Sequence, residues 1–277
     1  MTPYASSFLA TRPLASCSPR LEASPADLAI QSRFGDWQTS HQLRVPPRSF
    51  DRYESLAREM PGPILALGCG TGSLAIALAK LGHDVVGIDS NPHSIRLARQ
   101  RAADAGVTAE IEWSEIADFD LGRSFSLVLL ADQAFQRLTD SGDQRRCLAS
   151  VARHLSPSGR AVFELTRFDL SAEPTDDFEH RVTDLFEGSA AVVAMYGRVR
   201  QDYLRQLTHF DDRYVVFHTG IEPLTFESTV TLRTVHRYEM ELLLGAAGMR
   251  ARAITGAREA LDGGEGHEML IVAERLP

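Results

Sequence analysis

Cysteine is scarce in this 277-residue chain: Cys17, Cys69 and Cys147 are all there are. None has a CxxC partner or a histidine at metal-ligand spacing, which speaks against a disulfide framework and a zinc site. Reduced thiols in a cytoplasmic protein are the expectation. The nine histidines are scattered, with no HExxH and no HxH, so no structural metal is expected. Long apolar runs are also missing: none approaches the roughly 18 residues that suggest a membrane span, and no membrane partner is expected. Basic charge is in deficit, with 29 Lys and Arg against 37 Asp and Glu and a net charge of −8. The average field of such a chain repels a polyanion. No run of basic residues interleaved with aromatics offsets this, so nucleic acid is not the expected partner.

Residues 1–30 are poor in acids as well. Met1 to Ala26 is rich in Ser, Pro and Ala, carries Arg12 and Arg20, and has no apolar stretch long enough for a secretory signal. It faintly resembles a transit peptide, but a disordered leader is the preferred reading. The remainder, 31–277, reads as one domain, with 31–60 as an N-terminal cap.

From residue 61 strand and helix signals alternate at the spacing of an α/β fold. Strands are predicted at Pro63–Leu67, His83–Ile88, Thr108–Trp113, Phe125–Ala131 and Arg160–Leu165. Helices are predicted at Ser73–Leu81, Pro92–Ala105 and Asp143–Leu155. Asn91 can cap the second helix with Pro92 in its first turn. Leu148, Val151, Ala152 and Leu155 give the third its apolar face. Gly82, Gly106 and Pro157-Ser158-Gly159 mark the helix ends. The pattern implies a doubly wound, mostly parallel sheet with helices on both faces.

Between 170 and 235 the helical period fades. Alternating runs at Ala190–Val199, Tyr203–His209, Arg213–Thr219 and Phe226–Val235 predict antiparallel strands, a β-rich insertion before the last helix at Arg237–Ala247. Arg250–Ile254 and Glu268–Ala273 read as a closing hairpin.

The chemistry centres on Ala66-Leu67-Gly68-Cys69-Gly70-Thr71-Gly72-Ser73. Glycines 68, 70 and 72 permit a tight turn between strand and helix and let backbone approach a ligand. The helix N-terminus beyond adds free N–H groups suited to a carboxylate. A dinucleotide fingerprint places its third glycine at position 73; Ser73 stands there, which argues against a nicotinamide-dependent oxidoreductase. The GxGxG spacing suits a nucleoside joined to an amino acid, without a pyrophosphate. Asp89 follows the loop by about 20 residues, at the end of the second strand beside Ser90, where an acid can accept both hydroxyls of a ribose. Glu115 and Ile116, after the third strand, offer an acceptor for an exocyclic amine and an apolar wall.

The stretch LALGCGTGSLAIALAKLGHDVVGIDSNPHSIRLARQRA resembles the first half of class I S-adenosylmethionine-dependent methyltransferases. The resemblance continues through FSLVLLADQAFQRL and RRCLASVARHLSPSGRAVFEL and ends with LRTVHRYEMELLLGAAGM and EMLIVAERL. The nearest likeness is to the small-molecule branch, the glycine N-methyltransferase relatives and the sugar N-methyltransferases of antibiotic pathways. It implies a seven-stranded Rossmann-like sheet, S-adenosylmethionine as cofactor, a small-molecule acceptor methylated on nitrogen or oxygen by in-line transfer, and a homodimer as one use of the insertion. Gly68, Cys69, Gly70 and Gly72 would line the methionine part, Asp89 and Ser90 the ribose, Glu115 and Ile116 the adenine, with Ala131 near the sulfonium. The insertion and Phe34–Arg48 would cover the substrate, with Trp37, Tyr196, Tyr203 and Tyr214 as candidate walls. His41, His209, His218 and His236 are the candidate general bases. Two departures stand out. Ala66 occupies a position where the family has an acid, and Glu115 one where Asp is usual. They keep two other readings open: non-methyl-transfer chemistry such as a cyclisation, and a catalytically inactive partner subunit.

Overall fold

The computed structural model describes residues 50–166, 177–185, 192–255 and 268–277. The leader and most of the N-terminal cap, with His41, Trp37 and Cys17, lie outside the described residues. Helix α1 (Phe50–Glu59) precedes β1 (Ile64–Leu67), α2 (Ser73–Lys80), β2 (Val85–Asp89), α3 (Pro92–Asp104) and β3 (Glu110–Trp113). Then come β4 (Phe125–Leu130), a 3-10 turn at Ala134–Arg137, α4 (Ser141–His154) and β5 (Leu155–Thr166). After an insertion, α5 (Arg237–Ala246) leads to the closing strands, numbered β10 (Met249–Thr255) and β11 (Glu268–Arg275).

These closing strands join the first five in a seven-stranded sheet ordered β10-β11-β5-β4-β1-β2-β3. Strands β1 to β5 pair in parallel, and β11 runs antiparallel to both β5 and β10. Every residue of β1 and β4 is buried, as their continuous apolar runs require when helices cover both faces. The cap of α3 forms as expected, Asn91 Oδ1 accepting from the amides of His93 at 2.9 Å and Ser94 at 3.4 Å. Asp140 caps α4 in the same way. The chain works outward from β1 to β3 and then crosses back to β4. Carboxyl ends therefore diverge between β1 and β4, the crevice where open α/β sheets bind ligands.

Two expectations about strands need correction. β5 begins directly after α4 at Leu155, not at Arg160. Phe125 pairs with Leu155 and Leu127 with Arg160, so Ser156 to Gly159 bulge out of register. Gly159 suits this bulge, because a Cβ there would lie 2.8 Å from the Phe125 carbonyl oxygen.

The second correction concerns the insertion. It forms a four-stranded antiparallel meander of β6 (Glu179–Leu185), β7 (Val192–Asp202), β8 (Leu207–His218) and β9 (Ile221–Arg233). The separate strands expected at Tyr203–His209 and Arg213–Thr219 are one strand, β8, and Tyr203 to Gln206 is the turn before it. The acids that look like a break, Asp211 and Asp212, sit inside β8. Asp211 survives there because Arg200 reaches it at 2.5 and 2.9 Å, Arg198 at 3.0 Å and Thr229 Oγ1 at 2.8 Å. The Arg200 bond, helped by Thr229 and Arg198, holds this carboxyl well below the usual carboxylate range. The opposite face carries Val193, Tyr214 and Val216, packed with Met195, Leu224 and Phe226.

Buried Gln136 ties the two sheets together. Its Nε2 donates to the carbonyls of Thr166 at 3.0 Å and Arg233 at 3.1 Å, and its Oε1 accepts from the Thr166 amide at 2.7 Å. Arg233 in turn reaches Gln144 at 3.1 Å and Glu239 at 2.8 Å. The end of β9 is thereby fixed to the turn that follows β4.

Candidate functional site

The loop between β1 and α2 is built on left-handed backbone. Gly68, Gly70 and Gly72 have φ of +65°, +54° and +83°. At Gly68 a Cβ would also lie 2.9 Å from Ala134 Cβ, so a side chain is excluded twice over, by strain and by the chain packed against it. The Cys69 amide donates to the Ile88 carbonyl at 2.9 Å and the Gly72 amide to the Cys69 carbonyl at 2.9 Å. These bonds pin the loop over the end of β2. No side chain caps α2, and its first-turn amides point toward the loop's open side. Burial, and then the charge of Asp89, push the Cys69 thiol up to about 12, so it stays protonated and packs instead of reacting.

Asp89 occupies the centre of this end of the sheet. Its Oδ2 accepts from the Gly70 amide at 2.8 Å and its Oδ1 from the Asn91 amide at 2.8 Å. A carboxylate has about four acceptor positions, so each oxygen keeps capacity for a ligand hydroxyl. Beside it, the Ser114 amide donates to the Asp89 carbonyl at 3.1 Å and Trp113 Nε1 to the Ser90 carbonyl at 2.8 Å. The chain end of β3 is thus held against Asp89 and Ser90. Glu115 is exposed there, and Ile116 is half-buried against the main core.

Ala131 directly follows β4, and the next two residues, Asp132 and Gln133, take φ of +48° and +57°. Two consecutive left-handed non-glycine residues are costly, roughly 1–2 kcal/mol each, and contacts from β5 hold them. The Asp132 amide donates to Glu164 Oε2 at 3.0 Å, and Gln133 Nε2 to Thr166 Oγ1 at 2.9 Å. Buried Tyr53 of α1 donates its hydroxyl to the same Glu164 oxygen at 2.5 Å. Asp132 is an exposed residue, yet enough protein surrounds its carboxyl to raise its pKa. Desolvation dominates, the Arg137 charge opposes it and the Glu164 charge adds to it.

The structure therefore brings Gly68, Cys69, Gly70, Gly72, Asp89, Ser90, Glu115, Ile116 and Ala131 to one end of the sheet. The histidines named from sequence go elsewhere. His209 lies in β8 with Nδ1 2.9 Å from Thr231 Oγ1, and His218 ends that strand 3.1 Å from the Thr219 carbonyl. His236 precedes α5 and lines a cavity of about 240 Å³ with Asp202, Tyr203 and Gln206. Among the described residues, no hydrogen bond or ion pair joins these three to the glycine loop or Asp89. Tyr214 is core rather than wall, being 1% exposed. Ala66 is buried within the apolar cluster that includes Tyr53, Ile64 and Leu129, so packing occupies the place of the family's acid. Sequence reading missed Tyr53, Trp113, Asp132, Gln133 and Glu164. Only Glu164 left a signal, as a lone acid inside the apolar run RAVFEL. Among the described residues no group of three or more His, Cys, Asp or Glu is placed to hold a metal ion, and no helix is long and apolar enough to cross a membrane.

Comparison with known proteins agrees with this geometry. Residues 64–159 match the model of a methyltransferase-domain family. A dTDP-3-amino-3,4,6-trideoxy-alpha-D-glucopyranose N,N-dimethyltransferase of Streptomyces venezuelae is 25% identical over 193 residues, 70% of this chain and 77% of that protein. A cypemycin N-terminal methyltransferase of a Streptomyces species is 31% identical over 103 residues, 37% of this chain and 41% of the relative. The chain spans about half, or less, of the length of several other curated relatives it matches. Among solved structures, an S-adenosylmethionine-dependent methyltransferase from Clostridium acetobutylicum ATCC 824 superposes with a TM-score of 0.72 at 14% identity, covering 90% of this chain and all of that one. The chain has the class I methyltransferase fold, and residues 64–159 match the methyltransferase-domain family within it.

Proposed function

We propose that this chain is an S-adenosylmethionine-dependent methyltransferase acting on a small molecule, by N- or O-methylation in the making of a natural product. The observation that carries the reading is Asp89, fixed by the Gly70 amide at 2.8 Å with acceptor capacity left over, beside a glycine loop that admits no side chain at Gly68. The aminosugar N,N-dimethyltransferase among the relatives supports a small acceptor.

The residues fit the cofactor. Gly68, Cys69, Gly70 and Gly72 offer backbone and the uncapped start of α2 to an amino-acid carboxylate. Asp89 and Ser90 face a ribose, and Glu115 and Ile116 an adenine. When bound, S-adenosylmethionine supplies a methyl group already activated on a sulfonium. The protein's remaining work is to orient the acceptor and exclude water. The insertion sheet, tied to the turn after β4 through Gln136 and Arg233, serves as the cover over the acceptor. A homodimer contact is its second use, favoured by the Tyr203-Leu204 turn, where Leu204 is 98% exposed. The same reading has the enzyme in the cytoplasm and not on nucleic acid, as the net charge of −8 suggests.

Calorimetric titration of the purified chain with S-adenosylmethionine, S-adenosylhomocysteine and NAD tests this. Binding of the two sulfur nucleosides and not of NAD is expected. Asp89→Ala should weaken both by at least about tenfold, the worth of charge-assisted bonds to hydroxyls. Failure of the wild-type chain to bind either nucleoside would sink the reading.

A further inference from the structure

The turn after β4 carries a cost to stability, two left-handed non-glycine residues in succession. It is nonetheless clamped on two sides: Glu164 and Thr166 of β5 hold Asp132 and Gln133, and Ala134 packs where a Gly68 side chain would be. In register Ala66 faces Leu129 on β4, and Leu129 faces Val162 on β5. Two residues further along these strands stand Gly68, Ala131 and Glu164, so Asp132 follows directly on the row that contains the first loop glycine. Asp132 is exposed at this end of the sheet, and among the described residues no hydrogen bond engages its carboxyl. A buried, hydrogen-bonded scaffold with a free carboxyl at its tip is the arrangement that presents a reactive group in fixed geometry.

We propose, resting on the methyltransferase reading above, that Asp132 is the catalytic residue of methyl transfer and that the acceptor is an amine, with Glu164 and Thr166 positioning the carboxylate. Asp132 pairs with the acceptor ammonium and takes its proton. The freed nitrogen lone pair forms the new N–C bond as the C–S bond breaks, and that bonding pair remains on sulfur. Among the described residues the charges that act on Asp132 are Arg137, which lowers its pKa against the rise from desolvation, and Glu164, which adds to that rise. Both effects suit a base that must accept a proton and release it. None of His209, His218 and His236 is needed.

The test uses the full chain and two probes that need no knowledge of the acceptor. Sinefungin carries an amine-bearing carbon in place of the sulfonium and its methyl, so its ammonium stands where the transferred group would be. S-adenosylhomocysteine has no charge there. Calorimetry on wild type, Asp132→Asn and Glu164→Gln gives the ratio of the two affinities. In wild type sinefungin should bind about tenfold more tightly than S-adenosylhomocysteine, as for a partly desolvated ion pair. In Asp132→Asn that preference should vanish while S-adenosylhomocysteine affinity stays within about twofold, which also shows that the variant is folded. Glu164→Gln should give an intermediate ratio. An unchanged ratio in Asp132→Asn overturns the assignment and leaves the methyltransferase reading standing. Loss of S-adenosylhomocysteine binding by wild type overturns both.

Discussion

The two sheets are held together by different physics. In the seven-stranded sheet β1 and β4 are buried end to end, and apolar clusters fill the space on either side. In the four-stranded sheet a small apolar nucleus of Val193, Tyr214 and Val216 is found among the described residues, and the other face is closed by Asp211 between Arg198 and Arg200. Close packing on both faces fixes backbone to fractions of an ångström, which a loop gripping a nucleoside requires. A ladder closed by charges can shift without loss of its core, which suits a cover that must admit an acceptor.

The largest effect that tests this contrast is in the packed sheet. Leu129 is fully buried in β4, and Leu129→Ala should cost about 2–5 kcal/mol by loss of burial and creation of a cavity. Phe217→Ala, on the second sheet where the ring is 44% exposed, should cost under about 1 kcal/mol. Urea denaturation measures both, and comparable losses would break the contrast.

Next in size is Gly68→Ala, which adds strain at φ +65° and a 2.9 Å contact with Ala134. Binding of S-adenosylhomocysteine should fall about 10- to 100-fold for a strain of roughly 1–3 kcal/mol, while amide exchange in β7 to β9 stays unchanged.

Asp211→Asn should cost about 1–3 kcal/mol, since it weakens bonds from two arginines and Thr229 to a group 6% exposed. Hydrogen exchange should show the loss in β7, β8 and β9 and not in β1 or β4. The same carboxylate sets a pH dependence. Its folded pKa lies below its unfolded one, so its stabilisation is present above the usual carboxylate range. It is lost as pH falls through the folded value, well into acid. Acid should therefore loosen the second sheet in wild type, whereas Asp211→Asn should show a shallower acid loss there.

The smallest effect has the opposite sign. Asp132 has a folded pKa above its unfolded value, so its charged form costs stability once pH exceeds the folded pKa, and the cost disappears below the unfolded one. Asp132→Asn should raise the melting temperature by at most a few degrees near neutral pH, and the gain should fade in acid. Asn also tolerates the left-handed φ. A melting temperature lowered at neutral pH would mean that Asp132 holds the turn together structurally.

Much of the first sheet was legible because its strands and helices announce themselves locally. PILAL, FSLVLL and the Asn91-Pro92 start need only their own residues to be read. The second sheet was less legible. Asp211 and Asp212 look like a loop until Arg198 and Arg200 are brought across from β7, and the polar run at Glu179 to Leu185 gives no strand signal. The site divides in the same way. The glycine loop and Asp89 are readable because spacing along the chain sets their geometry. Asp132 is unreadable because its conformation depends on Glu164 and Thr166, more than 30 residues later.

The sequence by itself determined the parallel α/β fold and the place of the nucleoside loop, since burial patterns and glycine spacing are properties of short segments. Only the tertiary structure decided which carboxylates meet at the crevice. It also buried Ala66, sent the histidines away from the loop and merged two expected strands into β8. Those outcomes depend on which strands lie side by side, and that is fixed by packing between segments far apart in the chain.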